Sequence, residues 1–206
     1  MALPNDSSPT SSGEQLATHT VAGKEYQVFI EAGPSGHLRD SLDTFFVWTG
    51  PQAFAANKHF LSLLNASGSG RIVKVRKLFL INLQLAAISG VSVQFDVRRA
   101  SAHSGGTLLT PETFDTANAA LPAQITARAG ATVTTGGLLF SHATNNDEVG
   151  LTNAFPTPQI QAMMNLMMEH PSMQDLVLRE GQGFTVQNVT STTVGSYGVL
   201  AGITVE

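Results

Sequence analysis

The chain has 206 residues and no cysteine, which suits one ordinary domain with an arm and excludes disulfides and thiolate chemistry. It carries 11 Lys and Arg against 15 Asp and Glu, and charged residues make up 13% of it, where typical soluble domains have about 25%. With no basic stripe and no apolar run near the roughly 18 residues that span a bilayer, this composition speaks against nucleic-acid and helical membrane roles. It implies a weakly charged surface, either one that neighbouring subunits cover or the neutral, Thr-rich surface of an ordinary β-protein.

The first six residues, Met1-Ala2-Leu3-Pro4-Asn5-Asp6, lack the basic start and apolar stretch of a secretory signal, so export by that route is not expected. Residues 1–20 read as an extended N-terminal arm. Asp6-Ser7-Ser8-Pro9-Thr10-Ser11-Ser12-Gly13 is small, polar and broken by proline. Such a segment has no core of its own and is expected to order against a neighbour. Residues 21–206 are then the folded domain.

Residues 24–31 form the first strand candidate, ended by Gly33-Pro34-Ser35-Gly36. Phe45-Phe46-Val47-Trp48 is a short aromatic strand stopped by Gly50-Pro51, and its aromatics are expected in a buried cluster. Residues 59–64 form another strand, closed by the glycine-serine loop 65–70. Residues 71–82 alternate with period two, which predicts Val73, Val75, Phe79 and Ile81 on one face. The densest basic run, Arg71, Lys74, Arg76 and Lys77, falls in this strand and reads as a solvated face. Residues 91–99 alternate more strictly, and the link 83–90 is short enough to make the two strands antiparallel neighbours.

Residues 100–130 read as irregular. Ser104-Gly105-Gly106-Thr107 is a turn, and the segment to residue 124 is a long loop with Pro111 and Pro122. Thr132–Thr135 and Leu138–Phe140 read as one strand with a Gly136-Gly137 bulge. One short helix is expected near 159–170, with Thr157 as cap, Pro158 in the first turn and Pro171 as the stop. Ile160, Met163, Met164 and Met167 share its core-facing side, or form an adaptable docking surface. Strands return at 176–178, 183–189 and 199–205. About eight strands at this spacing predict an all-β fold, a two-sheet β-sandwich of jelly-roll-like form.

Chemistry-bearing patterns are sparse. The six histidines (His19, His37, His59, His103, His142 and His170) show no local zinc spacing. There is no nucleophile elbow, Walker loop or dinucleotide fingerprint. Asn145-Asn146-Asp147-Glu148 reads as a polar turn rather than a calcium loop, and Asp40 with Asp43 as unremarkable carboxylates. The sequons at Asn65 and Asn188 read as chance. No catalytic residue, cofactor or metal ligand is expected, and the protein reads as non-enzymatic. Trp48 offers an alternative, a sugar-stacking platform.

Two stretches carry a resemblance. One runs from Arg71 through Gly90-Val91-Ser92-Val93-Gln94-Phe95-Asp96-Val97-Arg98-Arg99 to Ser104-Gly105-Gly106-Thr107, then Ala120–Arg128 and Gly130–Val133. The other is Leu176-Val177-Leu178-Arg179-Glu180-Gly181-Gln182-Gly183-Phe184 with the closing strand. Together they resemble small structural proteins of tailed bacteriophages, over the last two thirds of the chain. The resemblance implies a virion component of the capsid-decorating (cement) kind, homo-oligomeric and often trimeric, with major capsid or other virion proteins as partners. It carries over no catalytic residues. The expected contact residues are Pro4, Asn5, Pro9, Thr10 and Leu16 in the arm and Pro111, Phe114, Leu121 and Pro122 in the loop. A neck, tail or fibre-base protein is the alternative within this class, and a carbohydrate- or receptor-binding sandwich the alternative outside it.

Overall fold

The computed structural model describes residues 17–21, 24–28, 43–83, 91–116, 118–146, 163–165, 175–190 and 195–206. The chain divides into two compact units, Met1–Leu42 and Asp43–Glu206. In the first, β1 (Ala17–Val21) pairs antiparallel with β2 (Lys24–Val28). Residues 17–20, assigned above to the arm, are therefore strand.

Among the described residues the second unit holds thirteen strands in chain order: β3 (Asp43–Trp48), β4 (Gln52–Ala53), β5 (His59–Asn65), β6 (Val73–Asn82), β7 (Val91–Ser104), β8 (Thr107–Leu109), β9 (Glu112–Thr113), β10 (Ile125–Ala129), β11 (Thr132–Asn146), β12 (Met163–Asn165), β13 (Leu176–Leu178), β14 (Gln182–Asn188) and β15 (Ser196–Val205). They form two antiparallel sheets. Sheet I has the order β11-β7-β14-β5-β10-β8. Sheet II has the order β12-β6-β15-β3-β9, with β13 also on β6 and β4 also on β15. No helix occurs among the described residues.

Period-two alternation makes these strands half-buried. In sheet I, Leu61 and Leu63, Val93, Phe95 and Val97, Ile125 and Ala127, and Phe184 and Val186 point inward. In sheet II, Phe45 and Val47, Val73, Val75, Leu78 and Leu80, and Tyr197, Val199, Ala201, Ile203 and Val205 meet them. The two sets form one core, the signature of a sandwich. Its aromatic centre joins Phe54, Phe60, Phe95 and Tyr197, with ring centroids 4.9 to 5.7 Å apart. Each such ring, fully buried, contributes about 1.5–3 kcal/mol of transfer free energy. Burial also pushes the Tyr197 hydroxyl up to about 12.

Several expectations need correction. Strands β6 and β7 are not neighbours. β6 pairs with β15, β12 and β13 in sheet II, and β7 pairs with β11 and β14 in sheet I. A link of that length also serves to cross between layers. The face of β6 switches midway, since Lys77 pairs with Gly202 but Val75 with Ile203, so Arg76 is an extra residue. This bulge resets the phase: Val73 and Val75 face inward before it, Leu78 and Leu80 after it, and Phe79 and Ile81 turn outward.

The centre of the segment read as a helix is also strand. Met163, Met164 and Asn165 pair with Ile81, Leu80 and Phe79, and the rest of 159–170 lies outside the described residues. The loop to residue 124 contains β8 and β9, which pair with β10 and β3. Asn145 and Asn146 end β11 and do not form a turn there.

Candidate docking face

The outward side of sheet II carries an apolar strip beside charged residues of β6. On β3, Phe45 and Val47 enter the core, so Phe46 and Trp48 emerge on the other side. The buried aromatic cluster expected at 45–48 is therefore split, because alternation sends neighbouring side chains to opposite faces. Trp48 pairs with Leu200 on β15, and Leu200 with Phe79 on β6, which aligns three apolar side chains across three strands. Ile81 lies opposite Gly198 in the same ladder.

Two glycines shape this surface. A Cβ on Gly198 would stand 2.2 Å from Cη2 of Trp48, so the indole occupies the space a side chain would fill. At Gly202 the nearest atom would be Cε1 of Phe46, at 3.1 Å. Both aromatics lie close on the sheet because β15 offers no side chain there. Trp48 remains 40% exposed, and Phe114 beside this strip is 74% exposed. Phe114 follows β9 and meets the ring of Phe46 edge-on, with centroids 5.4 Å apart. Its backbone N–H donates to the Thr44 carbonyl at 2.9 Å. Charged groups share this face: Lys77 stands across Gly202 from Phe46, Lys74 pairs with Glu206, and Arg76 with Asp175. An apolar centre with a charged rim is the anatomy of a protein-binding patch.

The outward side of sheet I is built differently. Ser62 and Thr185 are fully buried although they alternate with the core residues. The Thr185 hydroxyl donates to the Leu61 carbonyl at 2.8 Å and meets Nδ1 of His59 at 2.9 Å. Ser62 meets Nδ1 of His103 at 2.9 Å, and Nε2 of His103 meets the Thr126 hydroxyl at 2.8 Å. His103 belongs to the far end of β7, so this end folds over β5 and β10 and covers their polar side chains. Burial, and then the nearby charge of Arg98 for His59 and Arg128 for His103, holds both imidazoles below the usual histidine range. Asp96 accepts from Ser141 at 2.6 Å, Arg98 at 2.8 Å and Gln94 at 3.4 Å. Burial would raise its carboxyl, but these bonds and the Arg98 charge outweigh that and hold it below the ordinary value.

Of the contact residues expected from sequence, Pro4, Asn5, Pro9, Thr10 and Leu16 lie outside the described residues. Phe114 joins the outer face of sheet II, Leu121 packs against the core, and Pro111 and Pro122 are half-buried. Phe79, Ile81 and Leu200 were missed. The signal for Phe79 and Ile81 is the second half of β6, and for Leu200 the middle of β15, where apolar residues occupy both faces. Both sequon asparagines are buried, and their amides donate to the carbonyls of Arg71 and Leu178, and of Ala55 and Thr190. Among the described residues no group of three His, Cys, Asp or Glu stands ready for a metal ion, and no helix is long and apolar enough to cross a membrane.

No protein-family model, curated protein or solved structure matches the chain.

Proposed function

We propose that this chain is a structural subunit of a bacteriophage particle, a capsid decoration (cement) protein that seats the outer face of sheet II on neighbouring shell proteins. One observation carries the docking: Trp48, Leu200 and Phe79 align across three strands, with Phe46 and Phe114 beside them and charge at the margin. Soluble monomers rarely leave large contiguous apolar patches bare. A low-charge chain adds little repulsion against association. The place of that association in a phage particle is supported by the likeness of residues 71–133 and 176–184 to small virion proteins. Particles purified from an induced host that encodes the chain should contain it, and antibody labelling in electron micrographs should mark the heads. Purified particles without the chain overturn the reading, and label on the tail moves it to a neck or tail protein.

The position of Trp48 favours a second reading, a glycan-binding sandwich. An indole held over a glycine and exposed on one side is a preformed surface for a sugar ring. Glycan binding that vanishes in Trp48→Ala, with the fold intact, selects this reading over the first.

A further inference from the structure

The end of β7 leaves sheet I as a two-stranded ribbon. Strand β14 follows β7 as far as the pair Gly183 and Ala100. Beyond it, Ala102, His103 and Ser104 pair with Thr134, Val133 and Thr132 of β11. Two strands alone are marginally stable, so this ribbon depends on what its side chains reach. Ser101, Ala102, Ser104, Thr132 and Thr134 are exposed, while His103 and Val133, opposite each other, are half-buried. His103 is the polar side chain that grips the sheet beneath. Its Nδ1 meets the Ser62 hydroxyl of β5 at 2.9 Å, and its Nε2 meets the Thr126 hydroxyl of β10 at 2.8 Å. Ser62 is fully buried. At the turn after the ribbon, Arg128 donates to the Gly105 carbonyl at 2.9 Å. Gly105, Gly106 and Gly130, all with positive φ, stand where the ribbon joins β8 and β10.

This clasp suits a neutral imidazole. A neutral ring has one N–H to donate and one lone pair to accept, so one of the two hydroxyls donates to it. A proton on the accepting nitrogen makes it a second donor, and that hydroxyl has to turn away. The charge so formed has no counter-ion at hand. Strands β5, β8, β10, β11 and β14 contain no Asp or Glu. Asp96, the acid of β7, is engaged by Arg98, Ser141 and Gln94. The groups around the clasp are positive instead. Arg128 belongs to β10, and Lys58 brings its Cε to 3.8 Å from the Cβ position of Gly130. Arg98 stands opposite Thr185, which stands opposite Ser62 and binds His59. Arg99 turns to the Val177 carbonyl, and His142 of β11 lies opposite Phe95, toward the other end of β7. Burial, and then the Arg128 charge, holds the His103 ring below the usual histidine range.

We propose that His103 is an acid-sensitive clasp, whose protonation frees the ribbon of residues 101–104 and 132–134 from β5 and β10 while the sandwich core stays folded. Release places the ring in water, where it titrates at its ordinary 6.5, and uncovers the Ser62 and Thr126 hydroxyls. Opening is therefore favoured as pH falls below 6.5 and gains nothing more once pH has passed the lowered value of the closed state. Each opening takes up one proton, so the open fraction rises by at most about tenfold per pH unit. The clasp lies on the outer side of sheet I, and it depends neither on the virion reading nor on the strip around Trp48.

Hydrogen–deuterium exchange of the full chain from pH 7 to 4, corrected for the intrinsic pH dependence of exchange, tests it. Amides of 101–104 and 132–134 should lose protection as pH falls, by up to about tenfold per unit, while β14 and β15 keep theirs. His103→Gln offers a donor and an acceptor but does not titrate in this range. It should abolish the pH dependence, whatever its level of protection, and His59→Gln should retain it. Ring-proton NMR of the wild type needs no variant: the loss of protection should level off at the pH where His103 titrates. Ribbon protection that does not change with pH overturns the proposal. So does a response that survives His103→Gln or vanishes in His59→Gln, a levelling-off unrelated to the His103 titration, or a simultaneous loss in β14 and β15.

Discussion

The two sheets share one core yet face outward with opposite chemistry. Sheet I hides Ser62 and Thr185 beneath a folded-over strand end and completes their hydrogen bonds with His59, His103 and the Leu61 carbonyl. Sheet II leaves Trp48 exposed, with Phe79 and Leu200 half-buried beside it on neighbouring strands. Buried polar groups are stable only when their partners are complete, so this part of sheet I is completed by hydrogen bonds within the chain. An exposed apolar strip gains by being covered, which is the physical basis of the docking proposed for sheet II. The difference sets a hydrogen-bonded surface that serves stability against an apolar one proposed to serve binding.

The largest effect is expected at the shared core. Phe95→Ala removes a ring that touches Phe54, Phe60 and Tyr197 and should cost about 3–5 kcal/mol in urea unfolding. The loss should appear in a single transition; two transitions would mean that the sheets are separate units. His103→Ala should come next, at about 1–3 kcal/mol, because it leaves the buried Ser62 hydroxyl without its imidazole partner. A cost near zero would show that the polar cover on sheet I is not structural.

Acid should act on the same side. Both imidazoles titrate below 6.5 in the folded chain, so the unfolded chain takes up their protons first. Their contribution is present in full above 6.5 and is lost as pH falls through the lowered folded values. Asp96, also depressed, adds its loss at lower pH, below its ordinary 3.8. Thermal melts from pH 7 down to 5 should therefore fall for the wild type and flatten when His59 and His103 are both replaced. An equal slope in that double variant would remove the histidines from the account.

The smallest effect belongs to sheet II. Trp48→Ala should change stability by less than about 1 kcal/mol, as substitutions at the surface usually do, while weakening partner binding. A large loss of stability would place Trp48 among the structural residues and erase the contrast between the faces.

Much of this was legible in sequence. Strict alternation in 91–99 marks β7, the apolar run 59–64 marks β5, and segments with β-branched residues mark β6, β14 and β15. Their number and spacing imply a sandwich, because side-chain period is a local property of the chain. Trp48 and Phe114 stood out as candidates by residue type. Their arrangement did not, because it depends on strands far apart in sequence: Trp48 reaches Leu200 only through the β3–β15 ladder, and Phe114 reaches Phe46 only through β9.

What the sequence by itself determined is the β character, the two-residue period and the scarcity of charge. The partition of strands between layers was decided in three dimensions, where β6 chose β15 over β7. So was the phase of β6, since a single extra residue at Arg76 sends Phe79 and Ile81 outward. The methionine-rich segment, helical by its spacing, became strand at 163–165 because the open edge of β6 supplied backbone partners. Periodicity tells which residues share a face; only the hydrogen bonds made with distant strands tell whether that face meets the core or the outside.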